Sequence, residues 1–338
     1  MLFEIPSGSL ADKFGRKSII VFGKFSFLLA ILFAVFIPSF LGFIFCVIAM
    51  GIHEASISGA QEALLYDNLK DVKLENSYGK LLAVATTCRE IGLGSGALIA
   101  GFITQISLRY NLTGSIIIAI LGFVASFFLF ESKTRQLSQE TKLLIYAKES
   151  IKKIKNNINL KKLLFFNLTV MVAYPVISEY FVVSLKTLNA PYSLIGIIAV
   201  AESLFFSVGS FISQKFNFTK TKNAYLWLSI LMSFFFILIS TGKILIVIIG
   251  FLILRTIKAT AEIVSSNDWQ KEVESKERAT TISVNSFAKN GNYIIFSILF
   301  GYLADKVGLF KSFLMPALLS LFFLIFPLFA RKLEKDKL

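Results

Sequence analysis

The chain has 338 residues, of which 55% are hydrophobic and 36 are phenylalanine, and its mean hydropathy is +0.72. A soluble domain of this size could not bury so much apolar surface, so the composition predicts an integral membrane protein. The net charge of +14 is also typical of nucleic-acid-binding proteins, but here the basic residues lie in short segments between long apolar runs. We therefore expect the protein to have the lipid bilayer as its partner and not a nucleic acid.

Ten stretches of mainly apolar residues are each long enough to cross a bilayer as a helix, which takes roughly 20 residues. In chain order they cover residues 18–37, 41–65, 79–105, 113–131, 163–185, 193–213, 223–241, 244–267, 279–301 and 311–330. The connections between most of them are short, so the sequence leaves no room for a soluble domain.

The longest connection, residues 132–162, is basic and carries apolar residues at helical spacing. These apolar residues are Leu144, Ala147, Ile151, Ile154 and Ile158. The pattern predicts an amphipathic helix on the inner leaflet, with a solvated linker as the alternative. The segment divides the chain into an N-terminal helix bundle (1–131), a cytoplasmic linker (132–162) and a C-terminal bundle of six helices (163–338).

The positions of lysine and arginine predict the orientation of the spans, because cytoplasmic loops of membrane proteins are enriched in both. If the segment around Lys13 and Lys17 is cytoplasmic and the spans alternate from there, 25 of the 35 basic residues fall in cytoplasmic segments. Five fall in the opposite loops and five within spans. This asymmetry predicts a cytoplasmic C-terminus.

The string Gly8-Ser9-Leu10-Ala11-Asp12-Lys13-Phe14-Gly15-Arg16-Lys17, called the opening motif below, resembles the signature cytoplasmic loop of major facilitator superfamily transporters. In that family the loop joins the second and third membrane helices. The resemblance implies an all-α integral membrane protein with the two-bundle fold of the family and a location in a bacterial-type plasma (inner) membrane. Because residues 1–6 are too few for the first helix and most of the second, we expect ten full transmembrane helices plus the end of an eleventh at the N-terminus.

The resemblance also implies that the opening motif gates the transporter. Gly8 and Gly15 would allow close helix approach and a tight turn. Asp12 would face the positive N-terminal end of the family's eleventh helix, whose counterpart begins near Arg278. Arg16 would pair with a carboxylate at the inner end of the fourth helix, where Asp67 stands. The alternative is a cytoplasmic turn that is basic for topological reasons alone.

The two parts of the chain resemble each other when the first is shifted by 201 positions. In this register residues 66–72 fall on residues 267–273, and Gly8-Ser9 falls on Gly209-Ser210. Glu54 and Arg255 are also 201 positions apart, each near the middle of its span. A two-fold axis along the membrane normal would place them at equivalent depth, facing each other across a central cavity.

Ionisable residues within spans are the candidate binding residues, because placing a charge in the hydrocarbon region costs about 2.5–3.5 kcal/mol on insertion scales. We expect such residues to face a cavity or a partner and to contact the solute or exchange a proton. Structural ion pairs are the alternative. The candidates are His53, Glu54, Arg89, Glu179, Glu202, Arg255, Lys258, Glu262 and Lys289.

The resemblance implies a secondary active transporter that moves a small-molecule solute by alternating access, as a symporter or an antiporter, with protons as the candidate coupling ion. We expect no enzymatic activity and no cofactor, because the sequence has no phosphate-binding Gly-x-x-x-x-Gly-Lys-Ser/Thr loop and no nucleophile with a paired base. One histidine and two cysteines also do not make an ordinary zinc site. Two alternatives remain: a truncated or degenerate, non-transporting protein of the same family, and a complete ten-span transporter of another family.

Overall fold

The computed structural model describes residues 14–57, 60–74, 77–131, 151–215, 223–273 and 278–326. Within these ranges the regular structure is entirely helical, which confirms the predicted all-α architecture. The chain divides into two compact units, residues 1–141 and 142–338, with a boundary inside the undescribed stretch 132–150. Each unit is considered by itself below.

The first unit contains five described helices. They are α1 (Arg16–Phe36), α2 (Phe40–Ile57), α3 (Ala60–Asp71), α4 (Tyr78–Ile106) and α5 (Leu108–Ser126).

The second unit begins with a helical stretch at residues 151–156 and continues through eight described helices. They are α6 (Ile158–Phe166), α7 (Ala173–Thr187), α8 (Tyr192–Lys215), α9 (Ala224–Ile239), α10 (Ile244–Glu272), α11 (Arg278–Val307), α12 (Leu309–Ser312) and α13 (Leu314–Phe322). A π-helical segment, Asn167–Met171, joins α6 to α7, and a 3₁₀ turn, Phe323–Ile325, follows α13.

Helices occupy all ten predicted spans, but several predicted bounds are wrong. The span predicted at 113–131 begins at Leu108, because Ser107 caps the helix by accepting a hydrogen bond from the Arg109 N–H. The span predicted at 163–185 begins at Ile158, because the side chain of Asn157 caps α6 in the same way. Hydropathy marks where the apolar residues are, whereas caps decide where a helix starts.

Six helical segments among the described residues are long and apolar enough to cross a membrane. Two further apolar helices, Ala224–Ile239 and Leu309–Ile325, are shorter than that criterion. Large apolar side chains also remain exposed on both units, as on a protein whose outside contacts lipid. These features place the protein in a membrane.

In the first unit, α1 lies against α2 and α5. The approach of α1 to α2 is close at Gly23, where an added Cβ atom would stand 2.9 Å from the Cβ of Ser56. Beside this contact the Nδ1–H of His53 donates to the carbonyl oxygen of Gly23 over 2.9 Å. A polar side chain on α2 thus binds the backbone of α1 where the two helices touch.

In the second unit, phenylalanine rings from different helices form the core. Phe251 of α10, Phe300 of α11 and Phe313 next to α13 are completely buried. The ring centre of Phe313 lies 5.3 Å from that of Phe300 and 6.0 Å from that of Phe251, both edge to face. Edge-to-face packing of this kind suits the ring quadrupoles and fixes the relative rotation of the helices.

Helices α8 and α10 pack tightly because Gly209 lets the backbones meet. The hydroxyls of Thr256 and Thr260 donate to the carbonyl oxygens of Phe205 and Gly209, each over 2.9 Å. A Cβ atom at Gly209 would stand 2.3 Å from the carbonyl oxygen of Thr256. Small residues and interhelical hydrogen bonds of this kind are the usual means by which helices associate in membranes.

Replacing Gly209 with alanine should therefore destabilise the protein by about 1–3 kcal/mol, because the new methyl group forces α8 away from α10. The unfolding midpoint of the detergent-solubilised protein measures the loss. Gly291→Ala is the matched control, since a Cβ there meets no atom within 4 Å among the described residues. Equal midpoints for the two variants would show that the close contact at Gly209 contributes nothing to stability.

Candidate functional site

Arg255 stands between two aromatic rings in the middle of the second unit. Its guanidinium carbon lies 4.8 Å from the ring centre of Phe206 on α8 and 5.8 Å from that of Tyr174 on α7. The ring faces carry negative potential and stabilise the cation without neutralising it. Arg255 Nε is buried and makes no hydrogen bond within the described residues, so the arginine keeps a donor for a further group.

Glu202 completes this group of side chains, called the Arg255 cluster below (Tyr174, Glu202, Phe206 and Arg255). The hydroxyl of Tyr174 donates to Glu202 Oε1 over 3.3 Å, and Glu202 and Arg255 interact electrostatically. Three helices, α7, α8 and α10, thus bring an acid, a base and a phenol together. The arrangement can bind a polar solute or hold a proton.

One helical turn further along α10, Lys258 Nζ donates to Glu262 Oε2 over 2.6 Å. The lysine side chain is 16% exposed and the glutamate side chain 42% exposed. The i, i+4 spacing brings the two charges together on one face of the helix. Lys258 also lies 5.9 Å from the ring centre of Phe206, so the pair adjoins the Arg255 cluster.

A cavity of about 170 Å³ opens next to Glu262 and is called the Trp269 cavity below. Its lining residues are Asn167, Met171, Glu262, Ser265, Ser266, Trp269, Asn285, Ser286 and Lys289. They come from α10, from α11 and from the π-helical segment, so every wall of the cavity belongs to the second unit.

The π-helical segment Asn167–Met171 shapes one wall of this cavity. A π-bulge leaves backbone groups without their usual helical partners, and such bulges are common at functional sites. Here the side-chain amide of Asn292 donates to the carbonyl oxygen of Leu168 over 2.6 Å. Irregular backbone is tolerated at membrane depth where protein groups of this kind satisfy it.

Two other candidates make contacts at the surface of their own units. Glu179 accepts a hydrogen bond from the hydroxyl of Tyr293 and so joins α7 to α11. Arg89 pairs with its neighbour Glu90 over 2.9 Å, with side chains that are 71% and 39% exposed. Neither residue belongs to the group around Arg255.

In the first unit, His53 and Glu54 point to different surroundings although they are adjacent. His53 is buried against α1, with its ring centre 4.9 Å from that of Phe27. Glu54 is exposed on the surface of its unit and interacts electrostatically with the half-buried Lys24. The contacts of His53 favour a packing role, whereas the side chain of Glu54 is exposed.

The described part of the opening motif contacts two carboxylates of the first unit, those of Asp67 and Glu131. Gly15 has a backbone φ of +99°, which side chains other than hydrogen rarely allow, and an added Cβ would stand 2.9 Å from Glu131 Oε2. The carboxylate of Glu131 accepts hydrogen bonds from the backbone N–H groups of Arg16 and Lys17, over 2.9 and 2.7 Å. The side chain of Arg16 forms an ion pair with Asp67.

Glu131 therefore acts as the cap of α1, because a carboxylate there satisfies free N–H groups and faces the positive end of the helix dipole. Gly8 and Asp12 lie outside the described residues, as does the chain immediately before Arg278. Their expected contacts stay predictions.

Several residues of these sites were not predicted from the sequence. Tyr174, Phe206 and Trp269 are ordinary aromatic residues in an aromatic-rich chain, and no pattern distinguishes them from core residues. Glu131 was placed at the end of a span, without a role. Asn167 offered one usable signal, since an amide within an apolar stretch needs a hydrogen-bonding partner.

The sequence is similar to two known proteins, and one of these matches covers most of the chain. An uncharacterized transporter of Buchnera aphidicola subsp. Schizaphis graminum is 33% identical over 161 residues, which cover 47% of this chain and 39% of that protein. The match therefore spans well under half of the relative's length. An uncharacterized MFS-type transporter of Methanocaldococcus jannaschii is 22% identical over 331 residues, covering 94% of this chain and 82% of that protein.

Solved structures share the fold. A POT family transporter crystallised with 5-aminolevulinic acid superposes with a TM-score of 0.69 at 13% identity, over 98% of this chain and 85% of that one. A variant of the E. coli fucose:proton symporter FucP gives a TM-score of 0.52 at 12% identity, over 98% of this chain and 87% of that one. The sequence model of the Major Facilitator Superfamily matches residues 1–295. Since that match covers most of the chain, the protein belongs to the Major Facilitator Superfamily.

Proposed function

We propose that the protein is a secondary active transporter of a small solute and that the Arg255 cluster is part of its solute and proton site. The observation that carries the proposal is the state of Arg255. The guanidinium is half-buried at mid-span, is held by two aromatic rings, and keeps a buried Nε donor unused within the described residues. For an arginine with only a structural role we expect satisfied buried donors, because an unsatisfied buried donor costs about 1–3 kcal/mol.

Family membership supports transport as the activity, and both matched relatives are named as transporters. One fold relative is named as a proton symporter, which supports protons as the coupling ion here. Alternating access by two bundles, with the C-terminus in the cytoplasm, completes the proposal.

In the first unit, Glu54 is the candidate counterpart of Arg255. It is exposed on its own unit, and a carboxylate directed into lipid would be costly. The 201-residue register gives Glu54 and Arg255 the same position in their repeats. We therefore propose that Glu54 lines the route of the solute from the side of the first unit.

The ion pair between Arg16 and Asp67 is proposed as one latch of the gate. Its side chains are only 20% and 13% exposed, so solvent screens the pair less than a surface pair. Because Glu131 also binds the backbone of Arg16, two carboxylates hold the start of α1, and a movement of α1 relative to α3 would have to break the pair with Asp67.

Replacing Arg255 with leucine should abolish transport, because the cluster loses its cation and Glu202 is left with a phenol alone. Flux is measured in proteoliposomes of the full chain with a panel of sugars, amino acids, peptides and organic acids, with and without a proton gradient. Arg109→Leu, at an exposed position, is the matched control and should transport normally. Equal flux in the two variants, or no flux of any compound by the unaltered protein, would contradict the proposal.

Replacing Glu202 with glutamine should separate solute movement from proton movement. Glutamine keeps an acceptor for the Tyr174 hydroxyl but cannot release a proton, so exchange of solute across the membrane should persist while gradient-driven accumulation is lost. Glu90→Gln removes an exposed carboxylate and serves as the control. Full gradient-driven accumulation of solute by the Glu202→Gln variant would show that Glu202 does not couple proton movement to transport.

A double-mutant cycle on Arg16→Met and Asp67→Asn should show a coupling free energy of about 0.5–3 kcal/mol in the unfolding midpoint analysis. The exposed pair Arg89 and Glu90 provides the matched cycle, with an expected coupling below about 1 kcal/mol. As a latch, the Arg16 pair should also alter flux when broken. Additive effects of the two substitutions together with unchanged flux would show that the Arg16–Asp67 pair is not a latch.

A further inference from the structure

The Trp269 cavity contains hydrogen-bond donors without partners. Trp269 is 2% exposed and lines the cavity, yet its indole Nε1–H is buried with no hydrogen-bond partner among the described residues. Buried indole N–H groups normally find an acceptor. Lys289 lines the same cavity and makes no hydrogen bond or ion pair within the described part of the chain.

The side-chain amides of Asn167 and Asn285 provide the cavity with a further hydrogen-bond donor and with no free acceptor for the indole N–H or for Lys289 among the described residues. Ser265 Oγ donates to Asn167 Oδ1 over 3.0 Å, and Asn167 Nδ2 donates to Asn285 Oδ1 over 3.1 Å. This chain of hydrogen bonds engages both amide oxygens, and the Asn285 NH₂ group has no acceptor among the described residues. In the amide orientations that the structure assigns, every bond of this network has the required donor and acceptor.

The charges of the cavity leave a positive excess. Glu262 is paired with Lys258, which donates to its Oε2 over 2.6 Å, so Lys258, Glu262 and Lys289 together carry one net positive charge. Lys289 is half-buried within α11, and a lone ammonium group at that depth requires an anion or water. A carboxylate would satisfy the lysine, the indole and the Asn285 amide together, since its two oxygens accept about four hydrogen bonds.

We propose that the Trp269 cavity binds the carboxylate group of a small organic acid, with Lys289, Trp269 and Asn285 as its donors. The volume of about 170 Å³ is below the ~300–1,000 Å³ of pockets for drug-sized ligands, so the ligand is a compound of few carbons. Because Glu262 belongs both to the cavity and to the pair beside the Arg255 cluster, the bound acid lies next to the proposed transport site. That this acid is the transported solute rests on the proposed function, whereas its binding does not.

The protein has two tryptophans, which permits a direct test. Trp227 is 59% exposed and is not among the residues that line the cavity. The variant Trp227→Phe leaves Trp269 as the single tryptophan, so its fluorescence reports on the cavity. The full chain in detergent is titrated with lactate and succinate, and in parallel with lactamide, succinamide, inorganic phosphate and sodium chloride at matched ionic strength.

The proposal expects a saturable change of Trp269 emission with a carboxylate and none with the corresponding amide or with chloride. Lys289→Met in the same background should weaken binding at least about tenfold, which corresponds to a loss of about 1.4 kcal/mol. Lys289→Arg should restore most of the affinity because it keeps the charge. Lys243→Met, at an exposed loop position, is the matched control and should bind as the parent does.

Three outcomes would overturn the proposal: no saturable response to either acid, a response to phosphate alone, or equal affinities in Lys289→Met and Lys243→Met. Unfolding midpoints of all variants establish that they are folded, and a bound acid should raise the midpoint of the parent by mass action. Carboxylate binding without flux of any compound would leave this site standing and contradict the proposed transport. Flux without carboxylate binding would support the proposed transport and contradict the carboxylate site.

Discussion

The second unit depends on one constraint, which is that a charged side chain inside a membrane protein must be compensated within the protein or by water. Arg255 meets this constraint with two aromatic rings and Glu202, and Lys258 meets it with Glu262. These compensating groups come from α7, α8 and α10, so the charges also help to fix how the three helices pack. Among the described residues neither Arg255 Nε nor Lys289 has a hydrogen-bond partner, and these are the positions at which we propose a ligand.

Close helix packing makes this arrangement possible. Gly209 allows α8 to approach α10 closely enough for Thr256 and Thr260 to hydrogen-bond the backbone of α8. That contact sets the separation between Phe206 and Arg255, because the two residues lie on the same pair of helices. The π-helical segment has the opposite effect to the close packing at Gly209, because it widens the helical turn at Asn167. It also contributes a polar wall to the Trp269 cavity.

The first unit uses its charges differently. The described part of the opening motif is tied down by Glu131 through the backbone and by Asp67 through Arg16. Both carboxylates lie near the ends of helical segments, so these contacts hold helix termini together instead of lining a cavity in the unit. An ion pair at helix ends can exchange partners with small movements, which is the property that the proposed gate requires.

The sequence by itself determined the all-α membrane architecture, because ten apolar stretches and the distribution of lysine and arginine depend only on local composition. The opening motif was sufficient to indicate the family, since its glycines, acid and bases stand at fixed spacing. Sequence also identified Glu202, Arg255 and Lys289 as candidates before their contacts were known, because charged residues within apolar spans are conspicuous. Lys258 and Glu262 were both among its candidates, and the structure joins them in an ion pair.

Only the tertiary structure decided which of these residues share a site. Arg255, Tyr174 and Glu202 come from three helices and are separated by up to 81 positions in the chain, so no local pattern links them. Trp269 was indistinguishable from a packing residue until the cavity and the hydrogen bonds showed that its indole N–H has no partner among the described residues. The physical reason is general: composition and periodicity describe what one helix presents, whereas a binding site arises from distances between atoms of different helices, and those depend on packing.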